Sequence, residues 1–333
     1  MTAPAPDLAA TFAGARVLVT GGLGFIGSNL ALRLAALGAE TVVIDNLDDG
    51  GGANRFNLAP AGDRIAIEIG DIRDEKKIAA LLPGRDILFN LAGLTSHVDS
   101  MKDPVKDLEI NALAQVKLLE ACRKQTPALR IVHASTRQFY GKAEYLPVDE
   151  KHRLRPPDVN GVDKMAGEAF HLMYHDVYGI ETIALRLTNT YGPRMRIRDA
   201  RQMFLGVWVR SVLEDRPFEL WGGEQKRDLC YVDDAVEAFL LAAATPGIAG
   251  RAFNIGGPAV SLRELAEKLI AAHGGGRFAQ HEFPPERRRI DIGDYVADDR
   301  AFRAATGWRP RVSIEDGLKR TLEYYRANRA QYI

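Results

Sequence analysis

Short apolar runs alternate with segments of helical spacing through the first half of the chain. The runs are rich in β-branched residues and have the length of buried strands. They are Val17–Thr20, Thr41–Asp45, Ile65–Ile69, Ile87–Leu91, Ile131–Ala134 and Thr182–Leu187. The segments between them predict the helices Ile26–Leu37, Lys76–Leu82, Val105–Lys124 and Gly161–Tyr178. Alternation at this period is typical of βαβ units, so the chain is predicted to form a doubly wound parallel α/β sheet.

The alternating pattern becomes less regular after about Thr188, where Pro and Gly are frequent. We therefore predict a sheet domain over residues 1–188 and a smaller C-terminal substrate lobe over residues 189–333. The strand-like run Ala252–Ile255 indicates that parts of the chain around 229–257 return to the main domain. Residues 1–13, with several Pro and Ala, are predicted to be a loose tail.

Composition excludes several classes of protein. The 44 basic and 44 acidic residues cancel, so no charge surplus predicts binding to nucleic acid or to an anionic membrane. Cys122 and Cys230 provide neither a disulfide framework nor a metal motif, and no metal is expected. The sequence has no apolar run long enough to span a membrane, and residues 1–15 carry no Lys or Arg. These features predict a cytoplasmic protein.

A glycine-rich turn separates the first predicted strand from the first helix. Gly21, Gly24 and Gly27 have G-x-x-G-x-x-G spacing, which lets backbone N–H groups and a helix N-terminus approach a pyrophosphate. The second strand ends in Asp45, whose carboxylate can bind the adenosine ribose hydroxyls and would repel a 2′-phosphate. The sequence therefore predicts a Rossmann-like site for NAD rather than NADP.

Further motifs resemble one family. They are Gly70-Asp71-Ile72-Arg73-Asp74, Asn90-Leu91-Ala92-Gly93, Ser96-His97-Val98-Asp99-Ser100, Ala134-Ser135-Thr136, Phe139-Tyr140-Gly141, Leu187-Thr188-Asn189-Thr190-Tyr191-Gly192-Pro193 and Arg227-Asp228-Leu229-Cys230-Tyr231-Val232-Asp233-Asp234. Together they resemble the extended short-chain dehydrogenase/reductases, in the nucleotide-sugar epimerase/dehydratase branch. The resemblance runs from Arg16 to Tyr325 and implies NAD chemistry on a nucleotide-diphosphate sugar.

The resemblance also implies which residues form the site. For the cofactor these are Gly21, Gly24, Phe25, Ile26, Gly27, Asp45, Asn46, Asp71, Ile72, Leu91, Ala92, Gly93 and Lys164. For the substrate they are Ser96, His97, Thr136, Asn189, Arg227 and Arg289. Arg227 and Arg289 resemble a pair that clamps the diphosphate, although Arg288 is an alternative to Arg289.

The catalytic motif departs from the family pattern. Family members use a Ser or Thr and a Tyr-x-x-x-Lys, in which the tyrosine removes a proton from the sugar hydroxyl. Thr136 and Lys164 match, but Asn160 stands where the tyrosine belongs. Helical spacing predicts that Asn160 still faces the site, and its amide cannot act as a base.

Several groups are candidates for the missing base. We rank Lys164 or a water held by Asn160 and Thr136 first. The further candidates are Asp158, Asp163 and His97.

Three functions agree with these residues. The first is a UDP-hexose 4-epimerase of the UDP-glucose 4-epimerase type, acting through a transient 4-keto sugar. The second is a decarboxylase, a reductase or an epimerase at another carbon, and the third is a non-catalytic binding protein. Thr136 is followed by Arg137 and Gln138 instead of the Asp-Glu pair of the 4,6-dehydratases, which predicts that dehydration does not occur.

The resemblance implies a homodimer, in which two helices pair with their copies. The predicted helices Val105–Lys124 and Gly161–Tyr178 carry apolar residues beyond one face. These include Leu113, Val116, Leu119, Met165, Phe170 and Met173.

Overall fold

The computed structural model describes residues 6–48, 50–201, 203–282 and 292–333. The strands are β1 Arg16–Thr20, β2 Glu40–Asp45, β3 Ile65–Ile69, β4 Ile87–Asn90, β5 Arg130–Thr136, β6 Thr182–Leu187, β7 Asn189–Tyr191, β8 Phe218–Trp221, β9 Lys226–Tyr231, β10 Arg251–Ile255, β11 Ala259–Ser261 and β12 Phe278–His281. The helices are α1 Leu8–Phe12, α2 Phe25–Ala36, α3 Glu75–Leu81, α4 His97–Lys102, α5 Pro104–Leu108, α6 Ala114–Gln125, α7 Val159–Tyr178, α8 Phe204–Leu213, α9 Val232–Ala244, α10 Leu262–His273, Arg300–Thr306, Ile314–Ala327 and Arg329–Tyr332. The 3₁₀ segments are Arg55–Arg64 and Arg137–Tyr140, and Glu109–Leu113 is a π-helical turn.

The main sheet is parallel and doubly wound, as predicted. Its strand order is β10-β6-β5-β4-β1-β2-β3, and every pairing within it is parallel. Val17, Leu18 and Val19 of β1 are fully buried, because helices cover both faces of a sheet of this kind. The strand order reverses between β1 and β4, so the crevice for a ligand opens at their carboxyl ends.

The C-terminal half contributes to both parts of the molecule. Strand β10 pairs with β6 at the edge of the main sheet, and α9 packs against α2, β5 and β6. Two smaller sheets, β11-β9-β7 and β12-β8, form the second lobe among the described residues. Residues of this lobe and residues at the carboxyl ends of the main strands line one cavity.

The prediction of a loose tail over residues 1–13 is wrong for its second half. Asp7 caps α1 by accepting the backbone N–H groups of Ala9 and Ala10. Phe12 is fully buried, with its ring centroid 6.4 Å from that of Phe89 on β4. The buried ring of Phe12, the packing of Leu8 and the Asp7 cap together hold α1 against the sheet domain.

The predicted helix Val105–Lys124 is interrupted. Pro104 begins α5, and a π-helical turn over Glu109–Leu113 separates it from α6. The turn brings Asn111 beside the loop after β4, where its Oδ1 accepts the N–H of Leu94 at 3.0 Å. Single π turns of this kind are frequent at functional sites.

Two further observations concern the cysteines and the length of the apolar helices. Cys122 and Cys230 are free, buried thiols. None of the helices described is long and apolar enough to cross a membrane.

Candidate active site

A cavity of about 970 Å³ lies at the carboxyl ends of the main strands. The strand ends supply Gly21, Asp45, Thr136 and Thr188, and the second lobe supplies Arg227. This volume is at the upper end for a small-molecule site, which suits two ligands bound side by side. All the predicted cofactor residues listed above line this cavity.

The glycine turn is shaped so that its backbone can meet an anion. Gly21 has φ +68°, and a Cβ on it would lie 3.0 Å from the backbone of Ala92. A Cβ placed on Gly27 would lie 2.2 Å from the carbonyl oxygen of Gly21. Gly24 is the N-cap of α2 and has no side chain to block the helix N-terminus. This arrangement fits the pyrophosphate of a dinucleotide.

We expect Gly27→Ala to weaken NAD binding at least about tenfold, because the new methyl group must displace the Gly21 carbonyl and open the turn. The dissociation constant can be measured by calorimetry on protein freed of nucleotide. Gly275→Ala is the matched control, since nothing lies within 4 Å of a Cβ at that position. Equal affinity in both variants would contradict the proposed role of the turn.

Two carboxylates, those of Asp45 and Asp71, line the part of the cavity beside the ends of β2 and β3. The two carboxylate oxygens of Asp45 accept the N–H groups of Leu23 at 3.0 Å and Leu47 at 2.9 Å. Burial raises the pKa of Asp45. The Asp71 carboxylate accepts hydrogen bonds from Arg73 and from Asn46, and the Arg73 contact lowers its pKa to about 2. The fixed carboxylate of Asp45 is suited to ribose hydroxyls and adverse to a 2′-phosphate.

Lys164 and Thr136 lie in the cavity wall, and each is fixed by its neighbours. A Cβ on Gly93 would be 3.0 Å from Nζ of Lys164, so the glycine makes room for the lysine. Burial lowers the pKa of Lys164 to about 8. The negative charge of the nearby Asp107 carboxylate acts in the opposite direction but is the smaller effect. Oγ1 of Thr136 accepts the N–H of Gln138 at 3.1 Å.

Asn160 does not face the cavity, and the prediction that it points at the site is wrong. Its side chain is fully buried, and its amide nitrogen donates to the Leu94 carbonyl at 2.9 Å and to Oδ2 of Asp107 at 3.0 Å. Asp107 on α5 thus holds the amide behind the cavity wall. Asn160 is therefore not positioned to hold a water with Thr136.

Two buried carboxyl groups meet beside Asn160. Burial raises the pKa of Asp163 to about 7, and the hydrogen bond and negative charge of Asp107 act in the same direction. Asp163 lies on α7 next to Lys164, and it does not line the cavity. The two carboxyl groups therefore still share a proton in a substantial fraction of molecules near neutral pH.

This pair predicts a pH-dependent stability difference. A raised carboxyl pKa means that the folded protein retains a proton that the unfolded chain releases, so stability falls as pH rises from about 4 toward the folded pKa. Asp163→Asn keeps a donor for Asp107 and cannot ionise. We expect the variant to melt several degrees above wild type at pH 8 and close to it at pH 5.

Melting temperatures at the two pH values test this expectation. Asp176→Asn, at an exposed position on the same helix, is the control and should show little difference at either pH. An Asp163→Asn effect of equal size at pH 5 and pH 8 would contradict it.

A histidine and an aspartate form a pair in the wall of the cavity. Nδ1 of His97 lies 2.5 Å from Oδ2 of Asp158, and both residues line the cavity. Asp158 is the N-cap of α7 and accepts the N–H of Gly161 at 2.8 Å. The side chain of Gln138 donates to Oδ1 of Asp158 at 2.7 Å. Burial raises the pKa of Asp158, but the hydrogen bonds from His97, Gly161 and Gln138 outweigh it and the pKa is lowered.

Arg137 and Gln138 also line the cavity. In the sequence they are notable only because they stand where the 4,6-dehydratases have an Asp-Glu pair. Nη2 of Arg137 donates to Oδ1 of Asn189 at 2.9 Å, and its guanidinium lies 4.7 Å from the ring centroid of Tyr295. Both residues line the cavity beside Thr136. The available signal was their position, because residues that follow a strand's carboxyl end in this fold face the ligand.

The remaining predicted substrate residues differ in their placement. Arg227 is buried, lines the cavity, and donates to the carbonyls of Lys226 and Gly293. Ser96 does not line the cavity, because its hydroxyl caps α4 by accepting the N–H of Asp99 at 3.1 Å. Arg289 lies outside the described residues, as does the alternative Arg288.

Comparisons with known proteins agree with this geometry. A family model described as the NAD dependent epimerase/dehydratase family matches residues 17–256. The chain is 32% identical over 320 residues to a UDP-glucose 4-epimerase of Mycolicibacterium smegmatis, covering 95% of this chain and 100% of the relative.

Two solved structures have the same fold. One is a UDP-glucose 4-epimerase of Thermotoga maritima with UDP-glucose, at TM-score 0.86 and 28% identity, covering 94% of this chain and 99% of that one. The other is a dTDP-glucose 4,6-dehydratase of Streptomyces venezuelae with NAD bound, at TM-score 0.86 and 30% identity, covering 95% and 98%.

Proposed function

Because the chain belongs to the NAD-dependent epimerase/dehydratase family, with NAD as its cofactor, we propose that it is a nucleotide-sugar 4-epimerase acting on a UDP-hexose. The observation that carries the proposal is one cavity that joins the glycine turn to Thr136, Lys164 and Arg227. Such a cavity can hold a dinucleotide and a nucleotide sugar with their reacting ends together. The epimerase relative and the UDP-glucose complex support the choice of UDP.

The cavity residues have distinct roles in this proposal. NAD, when bound, accepts a hydride from the sugar and returns it. Thr136 binds the reacting hydroxyl, and Lys164 places a positive charge beside the developing oxyanion. Arg227 binds the diphosphate, because a guanidinium donates to two phosphate oxygens at once. The sugar turns as a 4-keto intermediate before the hydride returns to its other face.

The residues after Thr136 favour epimerisation over dehydration. Eliminating water needs one group to remove a proton and another to protonate the leaving hydroxyl. Arg137 donates to Asn189 and remains charged, and the amide of Gln138 does not titrate. Dehydratases are nevertheless among the relatives, so the test must include their substrates.

The proposed activity is tested by supplying UDP-glucose, UDP-N-acetylglucosamine and UDP-glucuronate separately and following the anomeric protons by NMR. We expect the 4-epimer of one sugar to accumulate to equilibrium, with no net change in NADH. dTDP-glucose is the matched dehydratase substrate, and a 4-keto-6-deoxy product from it would overturn the proposal. Turnover restricted to pre-formed keto sugars would instead indicate a reductase or decarboxylase.

We also propose that the protein is a homodimer that pairs α5 and α7 with their copies. Val105, Leu108 and Val177 are exposed by 64%, 50% and 61%, which leaves an apolar face on these two helices. Met173 on α7 and Leu113 in the π-helical turn after α5 are also exposed, but Leu119 is buried within its own subunit and cannot contribute. Sedimentation equilibrium tests this proposal, and a monomer at micromolar concentration would contradict it.

A further inference from the structure

We propose that His97, oriented by Asp158, is the acid–base group that exchanges the sugar hydroxyl proton in this enzyme. The inference rests on the proposed epimerase function and identifies a residue for a step that Asn160 cannot perform. His97 is the catalytic residue in this assignment, and Asp158 is a positioning residue.

The first support is the way in which the pair is held. The Asp158 side chain is only 7% exposed, whereas that of His97 is 56% exposed. The carboxylate receives the N–H of Gly161 and the amide of Gln138, so α7 and the segment after β5 both fix it. A buried carboxylate at 2.5 Å from Nδ1 fixes the orientation of the imidazole and favours a proton on that nitrogen.

The second support is the tautomer that follows. The hydrogen bonds that lower the pKa of Asp158 keep it ionised, so the proton between the two groups belongs to Nδ1 of His97. Nε2 of Gln138 lies 2.8 Å from Nδ1 of His97 and donates to Oδ1 of Asp158. The carboxylate of Asp158 is therefore the acceptor for both side chains, one at each oxygen. The assignment leaves Nε2 as a lone-pair nitrogen able to accept a proton.

The third support is the position of the pair relative to Thr136. His97, Asp158, Gln138, Thr136 and Lys164 all line the same cavity. Gln138 connects them, because its backbone N–H donates to Thr136 and its side chain contacts both members of the pair. A hydroxyl bound at Thr136 therefore lies next to the segment that holds the base.

Lys164 is a weaker candidate for this proton. Its pKa of about 8 leaves most of the ammonium groups protonated at pH 7, and a protonated lysine cannot accept a proton. Asp107 favours the same charged form. Lys164 is thus suited to stabilising negative charge on the substrate, which leaves the removal of the proton to another group in the cavity.

The step balances as follows. The sugar O–H bond breaks and its proton moves to Nε2 of His97. The carbinol C–H bond breaks as the C=O bond forms, and its electron pair leaves with the hydrogen as hydride to NAD⁺. In the return step, hydride adds to the other face of the ketone, and His97 gives its proton back to the oxygen. No other oxidant or reductant is needed.

The kinetic test compares His97→Gln with wild type on the sugar that wild type epimerises. Glutamine keeps hydrogen-bonding capacity but does not titrate near neutrality. We expect kcat to fall about 100-fold or more, with KM changed less than about threefold, as for loss of a general base. Free imidazole should restore part of the activity of His97→Ala. His273→Gln, on α10 and outside the cavity lining, should retain wild-type activity.

A second readout does not depend on activity. In protein labelled with ¹⁵N-histidine, we expect the His97 signals of the Nδ1–H tautomer in wild type. Asp158→Asn should shift His97 toward a mixture of tautomers and should lower kcat less than His97→Gln does. An Nε2–H tautomer in wild type would overturn the assignment.

The outcomes separate this inference from the proposed function. Active wild type with an equally active His97→Gln variant would overturn the role of His97 while leaving the epimerase proposal intact. Wild type that turns over no sugar nucleotide would overturn the epimerase proposal, and this assignment with it.

Discussion

Replacing Lys164 with methionine is expected to lower kcat on the epimerised sugar about 100-fold or more. Methionine fills a similar volume beside Gly93 but removes the only ammonium group that α7 presents to the cavity among the residues described. A preorganised charge next to a developing oxyanion typically contributes a factor of this size. The family resemblance also implies contact with the nicotinamide ribose, so the variant should retain less NAD after purification.

Single-turnover absorbance at 340 nm and native mass spectrometry measure the two effects separately. Lys319→Met, at an exposed position on the C-terminal helix Ile314–Ala327, is the matched control for loss of a lysine. Turnover within threefold of wild type in Lys164→Met would contradict the proposed role. A loss of NAD with unchanged turnover at saturating NAD would restrict that role to cofactor binding.

The clustering of the proposed cofactor residues could be predicted because its determinants are local in sequence. The spacing of Gly21, Gly24 and Gly27 sets the path of one turn, and Asp45 ends the adjacent strand. In a parallel sheet all such strand ends meet at one edge, so their positions follow from the element order. The structure places these residues in one cavity.

Asn160 shows why the catalytic half could not be predicted in the same way. Helical spacing places residues 160 and 164 on one face of α7, but it does not decide what each side chain contacts. The amide is instead bound by Asp107, which is 53 residues away in sequence and is carried by α5. That contact depends on the packing of two helices around a π-helical turn, and no local pattern shows it.

His97 was one of several candidates in the sequence for a similar reason. Its partner Asp158 is 61 residues away, and Gln138 joins the pair from a third segment. The sequence shows that all three follow predicted strands or precede a helix, which places them near the cavity. Only the folded arrangement shows that one carboxylate binds both other side chains.

A buried ion pair beneath the strand that carries Thr136 leads to the last prediction. Nη2 of Arg186 on β6 lies 2.6 Å from Oε1 of Glu168 on α7, and their side chains are 7% and 4% exposed. Glu168 also accepts the hydroxyl of Ser135, the neighbour of Thr136, at 2.6 Å. Arg186 further donates to the hydroxyl of Tyr140 at 2.6 Å. The pair therefore joins β5, β6 and α7 behind the cavity wall.

Arg186→Met is expected to lower the free energy of unfolding by about 3–5 kcal/mol, because it leaves the Glu168 carboxylate buried without its cation. Urea denaturation followed by circular dichroism measures this loss. The double variant Glu168→Gln, Arg186→Met should recover much of it, since the remaining amide is neutral and can still contact Ser135. Arg16→Met removes an arginine from the exposed Arg16–Asp86 pair and should cost far less. If Arg186→Met and Arg16→Met lowered the free energy of unfolding by the same amount, burial would not be the reason why the Arg186–Glu168 pair is important.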